Sequence, residues 1–178
     1  MGNRFVDWAG KSYPSWQRLM VMIPLGFMFL LLIPGMIFFT SRIDVLLSIA
    51  KMSLGTAGLL IAGVFMVTGF FFGVWTVIIQ FDEATGTPIP MMPTQKLITT
   101  GPYRYCRNPM VLGTMMAYFG VVVLAGSLSS FIFYALLMSA LLIYVKKVEE
   151  RELAERFGRE YLMYKEKVPF IIPRRRML

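Results

Sequence analysis

The chain has no histidine and a single cysteine, Cys106, among its 178 residues. Without histidine there is no imidazole for haem or the usual zinc sites, and no Ser–His–Asp or Cys–His nucleophile. Any proton transfer falls to Glu, Asp, Tyr, Lys, Cys or water. One cysteine forms no intramolecular disulfide. Charge is scarce as well: 16% of residues are charged and 57% hydrophobic, with a mean hydropathy of +0.64. A water-soluble domain rarely combines so little charge with so much apolar bulk. The length suits one domain.

Four apolar stretches supply that bulk: Leu19–Thr40, Ser53–Gln80, Pro109–Gly126 and Leu128–Val145. Each is near or above the ~20 residues that cross ~30 Å of hydrocarbon, the third being slightly short. The second has residues to spare for tilt or protrusion. The expected architecture is an all-α integral membrane protein of about four transmembrane helices, with an ordered cytoplasmic loop and a cytoplasmic C-terminal helix. It forms a single membrane domain over residues 1–178. Residues 1–80 hold an interfacial segment and spans one and two; residues 81–178 hold the loop, spans three and four and the C-terminal helix.

With four spans, both termini share a side with the middle loop. That side carries 16 of the 18 Lys and Arg residues, leaving only Arg42 and Lys51 opposite. The positive-inside rule then makes the termini and the loop cytoplasmic. The net charge of +8 therefore reads as membrane topology, with the lipid bilayer and not nucleic acid as partner. The first apolar run is too long for a signal peptide and lacks a small-residue cleavage site. Met1-Gly2 begins like a myristoylation signal, but Val6 stands where Ser or Thr is required.

Residues before Leu19, including Arg4, Val6, Trp8, Tyr13 and Trp16, read as an interfacial segment with aromatics at headgroup depth. Pro24 and Pro34 fall inside span one, where they predict a kink. The glycines of span two (Gly55, Gly58, Gly63, Gly69 and Gly73) predict close helix packing. The loop Phe81–Asn108 contains Pro88, Pro90, Pro93 and Pro102, too many for a regular helix. Its apolar and aromatic residues favour an ordered loop on the membrane face over disorder. The turn near Gly126-Ser127 makes spans three and four an antiparallel hairpin, so Asn108 meets Glu149 and Glu150 at its cytoplasmic end.

Asn108-Pro109 is a helix entry signal, Asn as N-cap and Pro as first helical residue. The free N–H groups of such a helix start suit a carboxylate or phosphate. Arg104 and Arg107 precede it, either as binding groups or as side chains reaching to headgroups. Beyond the membrane the helical pattern continues as KKVEERELAERFGREYLMYKEKV. At 100° per residue, Leu153, Ala154, Phe157, Tyr161 and Tyr164 share a face with Glu150 while Glu149 lies off it. A carboxylate on a buried face needs a partner. Either a ligand or an ion pair with Arg104 or Arg107 fills that need. Glu152 and Glu155 are expected to pair with Arg156 and Arg159 on a solvated face.

The run GTPIPMMPTQKLITTGPYRYCRNPMVLG, followed by EERELAERFGREYLMYKEKVPFIIPR, resembles the isoprenylcysteine carboxyl methyltransferase and phospholipid N-methyltransferase superfamily. The likeness covers roughly residues 85 to 174: a GPY-R loop, an Arg-X-Pro-Met helix start with a nearby Gly, a Glu-Glu pair ending the next helix, and an FG-Y-Y-P tail. It implies an integral membrane methyltransferase using S-adenosyl-L-methionine, with a lipophilic or small-molecule methyl acceptor and no metal. By that likeness the cofactor lies among Tyr105, Arg107, Asn108, Pro109, Met110, Gly113, Glu149 and Glu150, with Arg107 and Glu150 as the catalytic pair. Asn108 stands where the family has His, so no imidazole serves there. The loop-and-helix signature also occurs in NADPH-dependent membrane sterol reductases, which generally have more helices. A non-catalytic membrane scaffold is the alternative of a different class.

Overall fold

The computed structural model describes residues 13–84, 87 and 94–172, and every regular element among them is helical. Helix α1 (Ser15–Phe27) passes through a π-helical turn at Met28–Leu32 into α2 (Ile33–Phe39) and α3 (Ser41–Leu46). Next come α4 (Gly55–Asp82), a 3₁₀ turn at Gly101–Arg104, α5 (Pro109–Ala125) and α6 (Leu128–Tyr144). A second π-helical turn, Val145–Glu149, leads into α7 (Glu150–Lys167). Three runs are long and apolar enough to cross a membrane: Ser15–Leu46, Gly55–Asp82 and Leu128–Lys167. In the last, the apolar part ends at Val145, before Lys146 and Lys147. Helix α5, with 17 residues, is the shorter apolar helix. Leu60, Val67 and Leu136 lie largely exposed, which costs nothing against lipid tails as apolar as they are. The stretch around Arg4, Val6 and Trp8, and loop residues 85–86 and 88–93, lie outside the described residues.

Span one absorbs its prolines by widening. Pro34 has no N–H for the carbonyl of Leu30, and its ring crowds that turn. Just upstream, the Ile33 N–H reaches back five residues to the Met28 carbonyl. The Phe29 carbonyl, no longer taken by Ile33, accepts a 2.8 Å hydrogen bond from the Tyr118 hydroxyl of α5. The expected distortion is therefore a π turn that also ties span one to α5.

Helices α4 and α5 cross at Gly69. A Cβ there would overlap the Ala117 nitrogen and the Gly113 carbonyl, and one on Gly113 would stand 2.7 Å from the Gly69 carbonyl. Close packing thus holds at Gly69 and, through the Gly73 nitrogen 3.0 Å from a Cβ on Gly113, one turn further along, whereas a Cβ on Gly63 or on Gly73 itself would meet open space. Toward the end remote from the middle loop, Ile37, Tyr118, Val121, Val122 and Met138 form a buried cluster. The α5–α6 hairpin forms as expected, and the Tyr134 hydroxyl bonds the Met115 carbonyl across it at 3.0 Å. Buried Asp44, unremarked in the sequence reading, closes the N-terminus of α6. It accepts from the Leu128 and Ser129 N–H groups at 2.8 and 3.1 Å and from the Ser129 hydroxyl.

Helix α7 is not the single straight helix that the pattern suggests. Fifteen residues of helix separate Glu150 from Lys165 by ~22 Å. Yet Lys165 Nζ lies 2.8 Å from Glu150 Oε2. The chain folds back at Gly158, whose φ of +50° and ψ of −126° lie in a region open essentially to glycine. Leu153, Ala154, Phe157, Tyr161 and Tyr164 are all buried or half-buried, as the stripe predicts. The last two reach that position on the returning arm and not by phase along one cylinder.

Gly69→Val is expected to lower stability by about 1–3 kcal/mol, because backbone on α5 cannot yield to a side chain. Gly63→Val faces open space and should change it little. Gly158→Ala should cost at least ~1 kcal/mol through its torsion alone, since no atom obstructs a Cβ there. Thermal denaturation of the detergent-purified variants checks all three. Equal melting points for Gly69→Val and Gly63→Val would remove the crossing as a constraint.

Candidate active site

Arg107 stands just before α5, and its guanidinium gathers three segments of chain. Nε and Nη2 donate to Glu150 Oε1 at 3.0 and 2.5 Å. Nη1 donates to the carbonyls of Lys165 and Val168 at 2.9 and 2.6 Å. Its backbone N–H bonds the Pro169 carbonyl at 2.9 Å. Glu150 is 4% exposed and held from its other oxygen by Lys165. Burial pushes this carboxyl up, but the hydrogen bonds and charges of Lys165 and Arg107 outweigh burial and leave it below its ordinary range. Of the two partners proposed for Glu150, Arg107 is the one engaged; Arg104 is exposed.

Asn108 occupies the N-cap position of α5, but its side chain does not cap. Nδ2 donates to the Phe170 carbonyl at 3.0 Å, so this residue fastens the C-terminal tail to the helix start. That corrects the capping expectation. Another bond of the same set runs from the Tyr164 hydroxyl to the Tyr103 carbonyl at 2.7 Å.

These ties frame a cavity of about 650 Å³, within the range of small-molecule sites. Arg107, Asn108, Pro109, Met110, Gly113 and Glu149 all line it. Glu150 lies behind its wall, and Tyr105 is exposed elsewhere. The sequence reading missed Gln80, Tyr103, Glu152, Arg156, Tyr161 and Tyr164, which also line it. Tyr103, not Tyr105, is the inward tyrosine of the GPYRY run, with its hydroxyl accepting from Gln80 Nε2 at 2.5 Å. Glu152 and Arg156 pair at 3.3 Å as their spacing predicts, but with side chains only 13% and 9% exposed the pair is not a solvated face. Loop residue Thr94 covers it, its carbonyl accepting from Arg156 Nη2. Glu155 pairs with Arg151 and not with Arg159.

Glu149 is the distinctive group. It lines the cavity and is exposed there, and among the described residues it has no hydrogen bond or ion pair. Desolvation of its carboxyl by the surrounding chain, then the neighbouring charges of Glu152 and Glu150, push it up to about 7. From this polar end the cavity continues into the span region, past Gly73 and Val74 to Phe29, Leu30 and Tyr118.

Among curated proteins, methanethiol S-methyltransferase 2 of Bradyrhizobium diazoefficiens is 29% identical over 72 residues. That match covers 40% of this chain and 27% of the relative, so the chain spans about a quarter of that protein's length. No solved structure matches the chain. The phospholipid methyltransferase family matches residues 57–160, from the start of α4 through both arms of the α5–α6 hairpin and into α7. A match over more than half the chain, taking in the Arg107 segment and both cavity-side glutamates, makes this helical membrane protein a member of the phospholipid methyltransferase family.

Proposed function

We propose that the chain transfers a methyl group from S-adenosyl-L-methionine to an acceptor carboxylate, thiol or amine at the cytoplasmic face of the membrane. The observation that carries this reading is Glu149, a cavity-wall carboxylate without a cationic partner among the described residues. S-adenosyl-L-methionine supplies a methyl group activated by its sulfonium, and its ammonium is a cation for such a carboxylate to hold. Glu152, three residues on, is paired with Arg156 on the same wall, which leaves Glu149 as the unpaired carboxylate there. Arg107, Asn108, Pro109, Met110 and Gly113 form the wall for the adenosyl part. Arg107 and Glu150 act by position, since each already has its partners in the other, in Lys165 and in the tail. Tyr105, outside the cavity, has no part in this reading.

Transfer by in-line displacement needs orientation and exclusion of water. A thiolate or carboxylate acceptor needs no base. An amine must first lose a proton, and a Glu149 that pairs with the donor's ammonium is not free to take it. The family is named for phospholipids and the relative for methanethiol. The apolar continuation of the cavity favours a lipophilic acceptor for this chain.

Glu149→Gln should weaken S-adenosylhomocysteine binding by about 1.5–3 kcal/mol, the worth of a charged hydrogen bond, with little loss of stability. Glu150→Gln should instead lower the melting temperature, because it strips the charge from a buried clasp. Thermal shift with and without ligand separates the two, and equal behaviour would sink the assignment. Protonation removes the charge that holds the cation, so affinity for S-adenosylmethionine should rise with pH through about 7. In Glu149→Gln that rise should vanish.

The sidedness has its own test. In a Cys106-free background, a cysteine at Thr94 should resist impermeant thiol reagents applied from outside, while one at Arg42 should react. The opposite pattern refutes a cytoplasmic loop.

A further inference from the structure

We infer that the Tyr118 ring, whose hydroxyl bonds the Phe29 carbonyl, is the floor of a tail channel, and that Tyr118 sets the longest apolar chain the methyl acceptor can carry. The inference rests on the methyl-transfer reading only in naming the occupant as the acceptor's tail.

The cavity walls formed by span one, α4 and α5 stop at a common depth, while α6 contributes only as far as Leu141. Lining residues reach Leu30 on the span-one side, Gly69 on α4 and Tyr118 on α5. Past that level Ile37, Val121, Val122 and Met138 are packed with Tyr118 into the buried cluster. From Gln80 at the polar end to Gly69, eleven residues of helix give a depth of ~16 Å. That is about half the hydrocarbon thickness. The floor is pinned: Tyr118 is 4% exposed, and its hydroxyl is held by the carbonyl that the π turn releases. The walls are kept open by glycine. Gly26 on α1 and Gly73 on α4 both line the cavity, and a Cβ on either would meet nothing within 4 Å. A Cβ at Gly73 would therefore stand at the channel wall without meeting a packed neighbour. An apolar tail suits the apolar depth of this space, and its head, left at the polar end, meets Glu149 beside the Glu152–Arg156 pair.

The test uses the full chain in detergent, photolabelled with alkylamines that carry a diazirine at the tail end. Their ammonium suits Glu149, the carboxylate at the polar end without an ion pair among the described residues. A decyl probe should label Phe29, Leu30 or Tyr118 and bind at least tenfold more tightly than a hexadecyl probe. Tyr118→Ala should remove most of that preference, while Tyr118→Phe, which keeps the ring, should retain it. Gly73→Leu should abolish labelling at the floor and keep the parent's melting temperature, so the inference stays testable should Tyr118→Ala fail to fold. Labelling only at lipid-facing residues such as Phe38 or Leu60, or a Gly73→Leu protein labelled like the parent, overturns it. An identical tail preference in parent and folded Tyr118→Ala does so as well. S-adenosylhomocysteine binding, measured separately, bears on the methyl donor and leaves the label pattern to judge the channel.

Discussion

The structure of the end that carries the middle loop depends on the guanidinium of Arg107. Glu150 is buried, and a buried carboxylate without a cation costs several kcal/mol. Arg107 and Lys165 supply that charge from opposite sides. Lys165 can do so only if α7 turns back, and Gly158 lets it. The tail is then drawn in, because the remaining Arg107 donors need the Lys165 and Val168 carbonyls. One satisfied charge thus positions the start of α5, both arms of α7 and the segment through Phe170.

The clasp also separates the roles of two adjacent glutamates. Neighbouring helical residues point ~100° apart, so holding Glu150 against Arg107 turns Glu149 toward the cavity. The π turn at Val145–Glu149 adjusts that phase just before α7 begins. Glu152 follows on the cavity side with Arg156, beneath Thr94. The polar end of an otherwise apolar cavity therefore carries the Glu152–Arg156 pair and one carboxylate, Glu149, with no ion pair among the described residues.

Packing differs between the two halves of the membrane region, and that difference makes the cavity. Where α4 and α5 cross, Gly69 and Gly113 bring backbones into contact. Span one is tied to the rest by Arg18, which donates to the Phe81 carbonyl at 2.9 Å, and by Phe29, which accepts from Tyr118. Between these ties lies open space lined by Gly26 and Gly73. The family match begins at residue 57, so the span-one wall lies outside it.

Hydropathy alone determined the helical class, the apolar runs and the α5–α6 hairpin, because lipid requires the backbone to satisfy its own hydrogen bonds within helices. The motif order indicated methyl transfer and put Arg107, Asn108, Pro109, Met110, Gly113 and Glu149 along one cavity. Helical phase marked Glu150 as buried. What phase does not contain is whether a helix stays straight. The reversal at Gly158 depends on a contact between residues fifteen apart in sequence, and no local pattern encodes it. For the same reason the Glu152–Arg156 pair read as solvated: its spacing is local, but its burial comes from a loop some sixty residues earlier. Asn108 read as a cap because local geometry favours one; only the tertiary fold brings the Phe170 carbonyl to its side chain. Sequence periodicity reports each helix against an average surrounding. Which carboxylate faces the cavity and which is locked away was decided by the few long-range contacts that close it.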